Sequence, residues 1–149
     1  MTSNDIEPKS LEFNTFDIKK KKKHINFFKL GKLWVFKYFF EDEEIFKALA
    51  ESYNEDMYRF EFKTFGARNN ALKILERKGY DYALIENLRP FVVKLERFSK
   101  YAPILKNSVA FMKTTNSRIF LMKDLAAVEE AIRLGAKVYE GDYGSLEFR

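Results

Sequence analysis

Residues 33 to 40 read Leu-Trp-Val-Phe-Lys-Tyr-Phe-Phe, and they restrict the fold more than any other segment of the chain. Successive side chains of a strand point to opposite faces, so a run that is apolar at nearly every position needs cover on both sides. It reads as a core strand within a sheet, with other layers above and below it. A chain of 149 residues has the usual size of one domain and is long enough to bury a continuous core.

The residues that follow alternate helical and strand periods. Asp42 is placed to cap a helix whose stripe is Ile45, Phe46, Leu49, Ala50 and Tyr53, with Glu43 and Glu44 near its positive end, and that helix should stop near Asn54. Met57 to Thr64 alternates, with Tyr58, Phe60 and Phe62 on one face and Arg59, Glu61 and Lys63 on the other, as in a half-exposed strand. Gly66 opens a second helix carrying Ala67, Ala71, Leu72, Ile74 and Leu75, Lys78-Gly79 closes it, and Tyr80 to Asn87 is a third strand. This βαβαβ order implies parallel neighbouring strands and right-handed crossovers.

Beyond Asn87 the pattern changes. Phe91 to Phe98 alternates, Ser99 to Asn107 holds a short helix or loop around Pro103, and Val109 to Lys113 faces Ile119 to Lys123 as a hairpin across Thr114 to Ser117. Asp124 caps a last helix with Leu125, Val128, Ala131 and Ile132 inward, Gly135 ends it, and Lys137 to Glu140 and Ser145 to Phe148 are expected as short strands. The fold class is thus α/β to α+β: one mixed-sheet domain, a βαβαβ unit followed by a β, short helix, β, β, α, β segment of ferredoxin-like plan.

The net charge of +5 is unevenly spread. Residues 1–24 hold six lysines and four acids, whereas the other 125 residues hold 21 basic and 18 acidic groups. Residues 1–24, with no sustained apolar period and consecutive lysines at 19 to 23, are expected to form a flexible arm before a domain of residues 25–149. The acids in that stretch do not suit a secretory or transit signal, and Lys32 and Lys37 interrupt the longest apolar run, which points to a cytoplasmic protein without a membrane span.

The chain has no cysteine and one histidine, His24, so thiol chemistry is excluded and the body lacks the base of a serine or threonine triad. His24 reads as a solvated or packing residue, Glu41 to Glu44 as a helix start favoured by its dipole, and neither a cofactor nor a metal is expected. Function is therefore sought in binding and not in turnover. At the second helix start, Gly66, Arg68, Asn69 and Asn70 gather backbone amides, a guanidinium and carboxamides at a positive dipole end. Glu86 and Asn87 fall at the end of the third strand, and parallel sheets hold ligands beyond such carboxyl ends. These six residues form the expected site for a small anion.

Residues 31–87, with Gly66, Gly79, Asp81 and Ala83 at the matching points, resemble the opening lobe of type II periplasmic-binding-protein-like domains, which include effector domains of bacterial regulators. The resemblance implies a regulatory or ligand-binding module. The family's usual second full lobe and any helix-turn-helix are not found after Asn87, so the ligand cleft it implies is reduced or reshaped. A competing reading rests on Lys19, Lys20, Lys21, Lys22 and Lys23, whose charges would attach the chain to nucleic acid by releasing counterions, with nearby aromatics as stacking faces. A third follows from the sixteen phenylalanines, more than one small core readily hides: part of that surface is expected to face a second copy or another subunit of a larger assembly.

Overall fold

The computed structural model of the protein describes residues 23–148. The aromatic stretch before Gly31 is a strand, β1 (Lys23–Leu30), and it turns directly into β2 (Leu33–Phe36). Leu30 pairs with Leu33, leaving Gly31-Lys32 as a two-residue turn with Gly31 at φ 62°, the positive angle such a tight hairpin requires at its first central position. β1 thus begins with Lys23 and His24, within the segment assigned above to the arm. Lys37 to Phe40, read above as part of the strand, make no ladder.

The hairpin changes the direction of everything that follows. α1 (Glu43–Leu49) is capped by Asp42, which accepts from the Glu44 amide at 2.8 Å, and a short 3-10 turn leads into the two-residue β3 (Tyr53–Asn54). β4 (Arg59–Phe62) then lies antiparallel to both β3 and β2, so the expected parallel pairing of these strands does not occur. α2 (Phe65–Arg77) carries the chain across two strands to β5 (Tyr80–Ile85), which pairs parallel with β1. The order of the first sheet is β3-β4-β2-β1-β5.

The second half follows the anticipated split βαβ plan. β6 (Val92–Glu96), α3 (Ala102–Lys106), β7 (Ser108–Lys113), β8 (Ser117–Met122), α4 (Leu125–Arg133) and β9 (Lys137–Val138) build an antiparallel sheet ordered β7-β8-β6-β9. Asp124 caps α4 by accepting from Ala127 at 2.7 Å. Ser145 to Phe148 is not a strand: Asp142 captures the Gly144 amide at 2.9 Å, a 3-10 turn forms over Tyr143–Ser145, and Leu146 and Phe148 pack irregularly on the core.

Strand periodicity now explains the layering. In the first sheet Phe27, Phe36, Phe60 and Phe62 face α1 and α2, meeting Ile45, Leu49, Leu72 and Leu75. Their neighbours in sequence, Phe28 and Val35, face the other way, onto Val92, Ile119 and Leu121 of the second sheet. In turn Val93, Phe120 and Met122 face α3 and α4. The result is a mixed α+β domain of four layers, helices outside and two sheets face to face inside. No helix among the described residues is long and apolar enough to cross a membrane.

The inter-sheet layer should hold the largest share of stability per residue. Phe28, fully buried and set edge-on to Phe91 at 5.1 Å, should cost about 3–5 kcal/mol when changed to Ala in chemical denaturation. Phe98→Ala, at a position 95% exposed, should change stability by less than about 0.5 kcal/mol.

Candidate functional site

The expected anion site divides into two places. Thr64, not Gly66, caps α2: its hydroxyl accepts from Ala67 at 3.0 Å, and Gly66 lies within the first helical turn. The Arg68 guanidinium lies over the Trp34 and Phe65 rings at 4.8 and 4.9 Å and donates to Asn69 Oδ1 through Nε and Nη2 at 3.1 and 2.9 Å. Arg68 and Asn69 therefore bind each other, while Asn70 is exposed on the helix surface. Sequence reasoning did not single out Lys29, Lys32 and Lys63, which the turn after β1 and the end of β4 bring to the same cleft of about 420 Å³.

Glu86 and Asn87 lie across β2 and β1 from that helix start, in a separate cleft with Arg89 and Tyr143. Asn87 accepts from the Arg89 amide at 3.2 Å, and Glu86 pairs with Lys29 at 4.0 Å. Lys29 and Gly31 border both clefts, but the six residues do not share one. Lys19 to Lys22 lie outside the described residues, and Lys23 opens β1 with its ammonium 5.9 Å from the Tyr80 ring. His24 is exposed and bonded to Asn26 at 2.9 Å and Asp81 at 3.4 Å. Asp42 and Glu44 are met by Lys78 at 3.6 and 2.5 Å. Among the described residues no three acidic or histidine side chains gather as a metal site would need.

A more developed site lies at the opposite end of the first sheet, where the two sheets part. Three side chains on the inner face of the first sheet reach across to backbone oxygens of the second: Asn26 to Lys123 at 3.1 Å, Lys37 to Ser108 at 3.0 Å, and Arg59 to Val109 at 2.8 Å. Two of those oxygens sit at a β-bulge, because Ser108 pairs with Met122 and Ala110 with Leu121, leaving Val109 as the extra residue. A bulge disrupts the ladder locally and turns carbonyls away from it, here toward the polar side chains opposite.

Beside this seam opens a groove of about 550 Å³ between the β3–β4 turn and α3 with the start of β7. Tyr38, Tyr53, Tyr58, Leu105 and Phe111 wall it, Phe39 stands at its rim 84% exposed, and Lys37 lines it. Lys37 continues the face of Leu33 and Val35, so its alkyl stem enters the inter-sheet layer. Burial, then the positive charges of Lys123 and Arg59, lower its pKa to about 8. Arg59 itself is buried and answered by Glu61 at 2.8 Å, which corrects the reading of Arg59 as a residue on an exposed strand face.

Tyr58 was expected beside Phe60 on the inward face; it instead adopts φ 54° and is 67% exposed on the groove wall. Asn54 shapes that turn by accepting from the Asp56 and Met57 amides at 2.9 and 3.2 Å. A non-glycine residue in the left-handed region costs about 1 kcal/mol or more, and such costs gather at ligand sites. One sequence signal did point here: Lys37 is the single charge in a run otherwise apolar on both faces.

Replacing the amine tests its electrostatic burden. Lys37→Met should raise stability by about 1 kcal/mol near pH 7, the full shift being discounted for partial exposure. In the native protein the lysine loses its proton near pH 8 but in the unfolded chain only near 10.5, so the parent gains stability between those values and the advantage of the variant should fade by pH 10. Thermal denaturation of both proteins across that range measures it.

Comparison of the chain with protein-family models, curated proteins and solved structures returned no match.

Proposed function

We propose that this protein is a non-catalytic binding module whose ligand is a small molecule with an apolar body, held in the groove between the two sheets. The observation that carries this reading is the convergence of aromatic walls, a strained tyrosine and one desolvated amine on a concavity of ligand size. The tyrosine rings supply contact area with little loss of side-chain freedom, and the amine supplies orientation.

The test is a titration of the full chain with decan-1-ol and decanoate, followed through backbone amide chemical shifts. Saturable shifts should concentrate on Lys37, Tyr58, Ser108 and Phe111. Tyr58→Gly should weaken binding about three- to tenfold while leaving the melting temperature equal or higher, because glycine relieves the left-handed backbone as it removes a wall. No saturable shift at these residues with either probe defeats the reading.

A second reading keeps the small anion at the start of α2. It is favoured by Lys29, Lys32 and Lys63 bordering that cleft and by the absence of acids from the first helical turn. Phosphate should perturb the Phe65 and Gly66 amides, and Lys32→Gln with Lys63→Gln should weaken the effect about tenfold. Unchanged amide shifts up to molar phosphate would rule it out.

A further inference from the structure

The charge balance around Lys37 states what a ligand of the groove must carry. The ammonium has three donors, and its one partner among the described residues is the neutral Ser108 carbonyl. No carboxylate among the described residues lies within 4.0 Å of it. Arg59, the neighbouring cation on β4, takes Glu61 for itself at 2.8 Å. Lys123, after β8, adds positive charge from the second sheet. On the groove lining, Lys106 of α3 and Asp56 of the β3–β4 turn offset each other, and the remaining titratable groups are tyrosines, neutral near pH 7. Lys37 is thus a half-buried positive charge beside two others, with an aromatic chamber on its open side.

An alcohol or a hydrocarbon would fill the chamber and leave that charge unanswered. A second cation would add to the repulsion. One negative charge on an apolar body satisfies both halves of the site, since a carboxylate gives the ammonium a charge-assisted hydrogen bond and its hydrocarbon covers the rings. The volume suits a body of about ten carbons or two fused rings. We propose that the ligand of this groove is a monocarboxylate with an apolar body, its carboxylate paired with Lys37 Nζ and its hydrocarbon against Tyr38, Tyr53, Tyr58 and Phe111.

This assignment rests on the reading of the groove as a small-molecule site, and the experiment separates the two. Isothermal titration of the full chain with decanoate and with decan-1-ol, at pH 7 and pH 9.5, should show the acid binding about tenfold more tightly at pH 7. The preference should shrink at pH 9.5, where the parent amine is largely neutral. Near pH 8.5, binding of decanoate should take up protons, visible as a heat that depends on the buffer's ionisation enthalpy.

Lys37→Met should abolish the preference while decan-1-ol still binds, which separates lost charge from lost fold. Lys37→Arg, charged at every pH used, should keep the preference at pH 9.5. If both probes bind the groove equally, or if Lys37→Met leaves the preference intact, the carboxylate assignment falls and the groove remains a small-molecule site. If neither probe binds there, both readings fall together.

Discussion

Two sheets that are each apolar on both faces have few ways to avoid water. The contact of Phe28 and Val35 with Val92, Ile119 and Leu121 is the solution this chain adopts, and the outer helices complete it. Were the sheets apart, each would expose a row of β-branched and aromatic side chains that no helix in the chain is left to cover. The inter-sheet layer also accounts for much of the aromatic content: Phe27 and Phe28, adjacent in sequence, are both fully buried because different layers receive them.

That layer is not uniform along its length. Toward one end it is hydrocarbon throughout; toward the other, Asn26, Lys37 and Arg59 replace hydrocarbon with donors aimed at carbonyls near the β7 bulge. Charged side chains inside such a layer are costly unless each finds a partner. Arg59 finds a carboxylate and Lys37 finds only a neutral oxygen, and the unequal outcome distinguishes a structural residue from a candidate functional one. The groove opens beside this polar end, where dry packing has already given way.

Much of the secondary structure was legible because its signals are local. Asp42 and Asp124 cap their helices as their spacing to the apolar stripes implies, the β7–β8 hairpin forms around Thr114 to Asn116, and the β, helix, β, β, helix, β order of the second half is realised strand by strand. β1 escaped notice because Gly31 was read as a break, whereas its positive φ makes it the turn of a hairpin. Once β1 and β2 pair antiparallel, β4 must run opposite to β2, and the parallel partner of β5 becomes β1. The candidate site moved for the same reason: the rule placing ligands beyond carboxyl ends belongs to parallel sheets with helices on both faces, and here the second face is taken by another sheet.

The sequence by itself determined where helices start, which runs are strands, that the second half follows a split βαβ plan, and that no cysteine chemistry is available, because capping, periodicity and composition are properties of neighbouring residues. Strand direction, the face Arg59 occupies, and the meeting of Lys37 with Ser108 across 71 positions were decided only by tertiary structure. These depend on how two sheets stack, and the free energy that selects one stacking is summed over many contacts between residues distant in the chain, none of which has a local signature.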